Sequence, residues 1–351
     1  MNNIYIIWLL VCIMLDNIYD KSELKKVIDS MPEQVREAYN SDVSIKLKGV
    51  PDNILICGMG GSGIAGKILQ SYAENSGLKI PIFTINDYTI PPYVTKNSLF
   101  IISSYSGNTE ETISCYKEAT RNGHNIIVIT SGGKLMEYAT RDKNALIILP
   151  KGLQPRNAIA YLFFPIIKIL ENNGLIGNQS SQVKNLIDSL KKNMKRFNEE
   201  ASLLAEQLDE RIPVIYSSTI FSSIAYRWKT QFNENAKTPS YIHVFPELDH
   251  NELNGFKNCP FALHIITLKD ERDHRRVQKR MNITKNLIKE VNPEIKFTEI
   301  TIKGDDLLTR MFSAVFLGDL TSFYLAMKYA TDPTPVDIIE KLKKDLGPFV
   351  I

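Results

Sequence analysis

The sequence has few cysteines, and their spacing excludes two kinds of protein. Cys12, Cys57, Cys115 and Cys259 are not spaced as the ligands of a zinc site or as the partners of a disulfide framework. We therefore expect a protein of the reducing cytoplasm, in which these side chains serve as small buried hydrophobes.

A strong excess of charge is also lacking. The 42 Lys and Arg residues nearly balance the 39 Asp and Glu residues, for a net charge of +3. This excess is too small and too scattered to predict a nucleic-acid partner, whereas it suits a small anionic ligand.

The apolar stretch near the amino terminus is too short to predict a membrane partner. It runs from Ile4 to Leu15, whereas a membrane-spanning helix needs about 20 apolar residues. No basic residue precedes it and no small-residue cleavage site follows, so we predict no signal peptide. Met14 is a candidate for the natural start, because Asp16–Met31 has the pattern of an ordinary first helix. A packed arm or a weak anchor is the alternative.

Short apolar segments alternate with helical segments along most of the chain. This alternation predicts an α/β fold in which helices cover both faces of parallel sheets. The predicted strands are residues 54–57, 80–85, 99–104, 125–130 and 145–150, then 213–218, 263–268 and 297–302. A helical stretch is predicted from Ala158 to about Glu210. Ile224, Trp228 and Phe232 recur every four residues, which predicts an amphipathic helix that ends near Pro239 and is followed by a polar loop. We divide the chain into an extension and helix (1–44), a first α/β domain (45–155), connecting helices (156–209), a second α/β domain (210–330) and a C-terminal segment (331–351).

The turn after the first predicted strand is rich in glycine and has three interpretations. Gly58–Gly63 matches the G-x-G-x-x-G dinucleotide fingerprint, and Asp87 stands near the expected acidic position, as in a nicotinamide-dependent oxidoreductase. Gly61–Lys67 resembles a P-loop, but Ile68 replaces the Ser or Thr that binds magnesium, which excludes that interpretation. The third is a tight turn that packs a helix on a sheet. In each, backbone N–H groups at a helix N-terminus favour an anion.

A second turn, Ser103–Thr112, distinguishes between these interpretations. Ser104, Ser106 and Thr109 follow a predicted strand and precede a helix, and three hydroxyls suit the acceptor oxygens of a monophosphate. Helix capping by Asn108 or Thr109 is the alternative. Capping accounts for only one of these hydroxyl groups, so the pattern favours phosphate binding.

These two turns resemble the signature of sugar isomerase (SIS) domains, which are flavodoxin-like and bind phosphosugars. Four later segments are similar to the archaeal-type bifunctional phosphoglucose/phosphomannose isomerase: KGLQPRNAIAYL (151–162), NENAK (233–237), ELDHNEL (247–253) and DPTPVDIIEKLK (332–343). The resemblance extends from Met14 onward. It implies two SIS domains, a homodimer with a shared active site, and no metal or other cofactor. It also implies interconversion of glucose 6-phosphate or mannose 6-phosphate with fructose 6-phosphate.

The resemblance also assigns roles to individual residues. The substrate phosphate would be held by Gly61, Ser62, Ser104, Ser106 and Thr109. Glu234 would be the base that moves a proton between C2 and C1, a task that suits a carboxylate shielded from water. The alternative for Glu234 is a surface ion pair with Lys237.

Three further residues would act on the sugar, and a fourth would set specificity. Imidazole can exchange protons near neutral pH, so His250 would open the sugar ring. In related isomerases this histidine comes from the partner subunit. Arg156 would stabilise the enediolate, and Lys341 would assist ring opening. Thr334 stands where strict phosphoglucose isomerases carry a larger glutamine, so it would leave room for both epimers.

Each of these assignments has a structural alternative. His250 could be a loop histidine bonded to Asp249 or Glu252, and Arg156 could form a structural salt bridge. Lys341 could lie on a solvated helix face, and Thr334 could belong to a turn that begins a helix. For the whole protein, the alternative to an enzyme is an SIS protein that senses phosphosugars without turnover.

Overall fold

The computed structural model of the protein describes residues 18–349. The helices are α1 (Leu24–Asp29), α2 (Met31–Tyr39), α3 (Gly60–Glu74), α4 (Glu110–Arg121), α5 (Gly133–Arg141), α6 (Ile159–Asn172), α7 (Ser180–Gln207), α8 (Ser222–Glu234), α9 (Arg275–Val291), α10 (Leu307–Lys328) and α11 (Asp337–Leu346). The strands are β1 (Ile54–Cys57), β2 (Ile82–Ile85), β3 (Leu99–Ser103), β4 (Asn125–Thr130), β5 (Ala145–Ile148), β6 (Ile212–Ser218), β7 (Tyr241–Phe245), β8 (Leu263–Asp270) and β9 (Lys296–Ile302). The apolar stretch Ile4–Leu15 lies outside the described residues.

The chain forms two compact units, and each contains one parallel sheet. The first unit comprises residues 31–187 and 338–349, and the second comprises residues 18–30 and 188–337. The strand order is β2-β1-β3-β4-β5 in the first and β7-β6-β8-β9 in the second. The first order is that of flavodoxin, and the second is the same order without its last strand. The predicted fold class, two parallel α/β sheets covered by helices, is confirmed.

The core of the first unit lies on both faces of its sheet. Every residue of β1 and β3 is buried, as their nearly continuous apolar sequences predict. Phe100 is inaccessible to solvent and packs in one cluster with Ile113 of α4 and Leu135 of α5. Because the strands are parallel, the turns that follow β1, β3 and β4 all lie at the carboxyl edge of the sheet.

In the second unit, helix α8 packs against α10. The predicted apolar stripe of Ile224, Trp228 and Phe232 is fully buried, which confirms the amphipathic helix. The Trp228 indole N–H donates to the backbone carbonyl of Ala314 at 2.8 Å. This bond satisfies the polar atom of the largest buried side chain.

A buried ion pair also joins α8 to α10. Arg227 and Asp319 are each at most 2% exposed, and the guanidinium donates to the carboxylate at 3.0 and 2.7 Å. The Gln231 amide donates to the same carboxylate at 3.0 Å. Removing one partner of such a pair leaves a buried charge, which costs about 3–5 kcal/mol. The pair therefore fixes α8, the helix that ends at Glu234.

Three predicted elements differ from the structure. Strand β7 lies where we predicted a polar loop, because Tyr241–Phe245 pairs with β6 at the edge of its sheet and stays partly exposed. The predicted helical stretch 158–210 is divided into α6 and α7 by a turn in which Gly174 has φ +70°. The predicted first helix, Asp16–Met31, begins outside the described residues, and α1 within it starts only at Leu24.

His264 of β8 makes the stability of the second unit dependent on pH. Its imidazole is 2% exposed and bonds the Gln207 carbonyl at 3.0 Å and the Thr298 hydroxyl at 2.8 Å. Burial, together with the nearby charges of Arg211 and Lys296, lowers its pKa from 6.5 to about 4.

We predict that the free energy of unfolding rises by about 3 kcal/mol between pH 4 and pH 6.5 because of His264. In this window the unfolded state binds a proton that the folded state excludes, so stability increases with pH and is lost as pH falls. The H264Q variant should lose this rise. Urea unfolding of both proteins from pH 4.5 to 7.5 provides the measurement, and an unchanged pH slope in H264Q would contradict the assignment.

Candidate active site

The carboxyl edge of the first sheet brings together two of the predicted turns. The backbone N–H of Tyr105, in the turn after β3, donates to the Ser62 hydroxyl at 3.0 Å. Ser62 lies in the first turn of α3, after β1. Strands β1 and β3 are neighbours from which the chain leaves in opposite directions, and such a switch point is where ligands bind in open α/β sheets.

A close backbone approach brings Arg156 to the same edge. A side chain at Gly61 would place its Cβ 2.5 Å from the Pro155 carbonyl and 2.6 Å from the Arg156 nitrogen. Only glycine therefore allows α3 to begin directly against the short 3-10 turn Pro155–Asn157. Arg156 is 3% exposed, so the N-terminus of α3 lies against the backbone of a buried arginine.

The hydroxyl groups at this edge hold the turns in shape as well as lining them. The Gly107 N–H donates to the Ser104 hydroxyl at 3.2 Å, and the Ser104 and Thr109 hydroxyls lie 2.9 Å apart. Gly107 has φ +68° and has no room for a side chain beside the Gly132 carbonyl. Ser62 and Ser104 are buried, whereas Ser106 is exposed. Because α3 and α4 both begin here, their first backbone N–H groups have no partner within the helix and favour an anion.

Tyr105 connects three turns of this edge, and the sequence analysis did not identify it. Its carbonyl accepts bonds from the Ser131 backbone and hydroxyl, at 2.9 and 2.7 Å. Its phenol donates to the Pro150 carbonyl at 2.7 Å and accepts from the Leu153 N–H at 3.0 Å. Tyr105 thus joins the serine turns to the segment that leads to Arg156. A tyrosine between two serines of the turn was the available signal.

We predict that Y105F lowers kcat about tenfold and leaves KM almost unchanged. The variant keeps the backbone bond to Ser62 but loses both phenol bonds, so the segment leading to Arg156 is held less firmly. Steady-state kinetics with fructose 6-phosphate, the substrate that the sequence resemblance implies, measure the effect. Y93F, which removes an exposed hydroxyl of the same unit, is the matched control. A large rise in KM with normal kcat in Y105F would contradict this role.

In the second unit, Lys237 brings Glu234 and Thr334 together. The ammonium group donates to the carbonyls of Pro333 and Pro335, at 3.3 and 2.6 Å, and also to the Glu234 carbonyl. The C-terminus of α8 is therefore fixed to the turn that contains Thr334. Glu234 is half-buried, and Lys237 was considered only as an ion-pair partner in the sequence analysis.

His250 ends a short 3-10 turn, Glu247–His250, after β7. The imidazole is exposed, but the residue before it is firmly held. Asp249 accepts a bond from Arg280 at 2.8 Å and another from Thr284 at 2.7 Å, both on α9. The turn is therefore anchored to α9 beside an exposed His250 side chain.

Glu252, two residues after His250, begins the next 3-10 helix and is held as well. Its carboxylate accepts a bond from the Tyr216 hydroxyl and lies 3.8 Å from the His243 imidazole. Burial, and then the charge of Glu252, raises the pKa of Tyr216, so the phenol remains a donor. The carboxylates of Asp249 and Glu252 therefore bond residues other than His250, which disfavours the structural alternative for this histidine.

Glu234 and His250 lie at opposite edges of the second sheet. Helix α8 starts after the carboxyl end of β6 and returns to the amino edge, where it ends at Glu234. Strand β7 then crosses the sheet again, parallel to β6, and His250 follows its carboxyl end. Thirteen helical residues span about 20 Å, so the two edges of the sheet are separated by about the length of α8.

Lys341 lies on α11, in the part of this helix that belongs to the first unit. No residue of α11 is buried, and Lys341 is exposed. Across residues 18–349, no group of three or more His, Cys, Asp or Glu side chains could hold a metal ion. No helix within that range is long and apolar enough to cross a membrane.

Comparison with known proteins first defines the class. The SIS domain family matches residues 50–150, and the family described as bacterial phospho-glucose isomerase C-terminal SIS domain matches residues 197–346. Among solved structures, the C-terminal domain of glucosamine-fructose-6-phosphate aminotransferase from Francisella tularensis has a TM-score of 0.68 at 17% identity, covering 88% of this chain and 97% of its own. Glucosamine-6-phosphate deaminase from Thermotoga maritima has a TM-score of 0.66 at 15% identity, covering 88% and 95%. These likenesses show the SIS fold.

Curated relatives then define the family. A bifunctional phosphoglucose/phosphomannose isomerase from Caldicellulosiruptor bescii is 41% identical over 333 residues, 91% of this chain and 97% of the relative. The protein of that name from Thermoplasma acidophilum is 38% identical over 93% of this chain and 98% of its own. A D-glucosamine-6-phosphate 4-epimerase from Sulfolobus acidocaldarius is 34% identical over 64% of this chain and 72% of its own. The chain belongs to the bifunctional phosphoglucose/phosphomannose isomerase family.

Proposed function

We propose that the protein is an aldose–ketose isomerase that interconverts glucose 6-phosphate or mannose 6-phosphate with fructose 6-phosphate. Its family membership supports the reaction class, since relatives 37–41% identical are named bifunctional phosphoglucose/phosphomannose isomerase. The single structural observation that carries the proposal is the bond between Tyr105 and Ser62, which joins two hydroxyl-lined turns at one sheet edge.

The phosphate is anchored first. Backbone N–H groups at the start of α3, near Gly61, and the hydroxyls of Ser62, Ser104, Ser106 and Thr109 supply donors for its oxygens. Anchoring the phosphate holds the reacting carbons in a fixed position, which lowers the entropic part of the barrier. The buried residue Arg156 adjoins this cradle through its backbone, and the permanent charge of its side chain stabilises the enediolate oxygen as it forms.

Proton transfer then uses His250, Lys341 and Glu234. His250, with help from Lys341, moves a proton between the ring oxygen and the C1 hydroxyl, and the ring opens. Glu234 takes the proton from C2 and returns it to C1, through a cis-enediol. Rotation of this intermediate about C2–C3 presents its other face to the same base, so one site produces both aldose epimers.

The active site is shared between two chains of a homodimer. His250 and Glu234 lie at opposite edges of one sheet, about 20 Å apart by helix length. A complete site therefore requires Glu234 from one chain and His250 from the other. A symmetric dimer forms two such sites, because a two-fold axis repeats every contact.

Product analysis tests the reaction. The purified protein is incubated with fructose 6-phosphate, and the sugar phosphates are separated by anion-exchange chromatography. We expect both glucose 6-phosphate and mannose 6-phosphate. A single aldose would contradict bifunctionality, whereas binding of fructose 6-phosphate with no product would favour a phosphosugar sensor.

We predict that T334Q lowers production of mannose 6-phosphate at least tenfold more than production of glucose 6-phosphate. Thr334 lies in the turn that Lys237 joins to the end of α8, and a larger side chain there restricts rotation about C2–C3. The ratio of the two kcat/KM values measures the effect, and T334S is the matched control. Equal losses for both epimers would contradict the role in specificity.

A further inference from the structure

A basic cavity lies at the amino edge of the second sheet, away from the turn that bears His250. Its volume is about 430 Å³, and three of its lining side chains are Arg211, Lys289 and Lys296. Lys296 begins β9, and Arg211 immediately precedes β6. His264 and Phe297 form part of the floor. No Asp or Glu side chain lines this cavity.

The three cations have no carboxylate partner within 4 Å among the described residues, in contrast to other cations of this unit. On the same sheet, Lys269 and Lys285 both pair with Glu299, at 3.1 and 3.0 Å. Arg211 donates instead to a backbone carbonyl, that of Glu294, at 3.3 Å. The lining of the cavity therefore includes three cationic residues that no carboxylate pairs at salt-bridge distance.

Two further lining residues already have partners within the protein. Both ring nitrogens of His264 are bonded, to the Gln207 carbonyl and the Thr298 hydroxyl. The Lys289 ammonium lies 5.7 Å from the centre of the Phe297 ring. Burial, together with the charges of Arg211 and Lys296, lowers the pKa of His264.

We propose that this cavity binds the oligophosphate group of a small anion. Three cations around one cavity exceed what one phosphate monoester needs to be neutralised, whereas a chain of phosphates can contact more than one of them. Charge-assisted bonds to phosphate are the strong contacts that Arg and Lys provide. No Asp or Glu side chain lines the cavity, so no negative charge in the lining repels the phosphate chain.

Calorimetric titration of the full-length protein tests this proposal with two probes, inorganic tripolyphosphate and ATP, both without magnesium. We expect binding of both, weakened at least about thirtyfold in R211Q/K289Q/K296Q because each charge-assisted contact contributes to affinity. The K21Q/K192Q/K195Q variant removes equal charge from exposed sites of the same unit and should bind like the unchanged protein. The milder K289Q/K296Q variant serves if loss of Arg211 impairs folding.

The outcomes separate the possible ligands. Equal affinity for both probes, lost in the triple variant, assigns the site to the phosphate chain alone. Tighter ATP binding, also lost in that variant, assigns it to a nucleotide that uses the same charges. Failure of both probes to bind, or equal weakening in the two triple variants, overturns the proposal. As a local check, tripolyphosphate should shift the His264 imidazole resonances, and unshifted resonances during binding would place the ligand elsewhere.

Discussion

The E234Q variant is expected to lose activity on fructose 6-phosphate by a factor of about 10³–10⁴, the upper part of the range for removal of a catalytic base. Glutamine has nearly the size and shape of glutamate but cannot accept the C2 proton. The half-buried end of α8 should tolerate it, because Arg227, Trp228 and Lys237 hold that helix through other groups. The loss should therefore fall on kcat, with little change in substrate affinity.

Two measurements make this prediction specific. Steady-state kinetics should show the loss in kcat, while calorimetric titration should show a nearly unchanged Kd for fructose 6-phosphate. E271Q, which removes an exposed carboxylate of the same unit, should behave like the unchanged protein. Retention of C2 proton exchange in E234Q would assign the base to another residue.

The second large effect is a recovery of activity when two inactive variants are mixed. Alone, E234Q lacks the proposed base and H250A lacks the proposed ring-opening group, so each variant should be almost inactive in the proposed homodimer. In a heterodimer of the two, one site contains both defects and the other contains neither if Glu234 and His250 come from different chains. After complete subunit exchange, about a quarter of all sites should be intact.

Subunit exchange by mild dilution and reconcentration provides this test, with activity followed over time. Each variant mixed with itself is the control. If one chain supplied both residues to one site, every site of the heterodimer would keep one defect, and no activity would return. The roughly 20 Å length of α8 between the two sheet edges is the physical reason that we expect recovery.

Features set by local patterns were predictable from the sequence. Continuous apolar strand segments with helical segments between them predicted parallel sheets, and the structure contains two. The serine- and glycine-rich turns after β1 and β3 had to meet, because parallel strands end at one edge. The apolar stripe of Ile224, Trp228 and Phe232 correctly predicted the buried face of α8.

Features that depend on distant partners were not predictable. Arg227 looks like a surface residue until Asp319, on α10, is seen beside it in the core. Tyr105 and Lys237 act through bonds to backbone carbonyls, which no side-chain pattern records. Strand β7 is short and partly exposed, so pairing with β6 decides its conformation more than its own composition does.

Isomerisation of fructose 6-phosphate in D₂O tests the central claim most directly. If one carboxylate moves the proton through an enediol, mass spectrometry and NMR should find deuterium at C2 of both glucose 6-phosphate and mannose 6-phosphate. Formation of both aldoses with no deuterium at C2, even after many turnovers, would mean that hydrogen passes directly between C1 and C2, and would contradict the account.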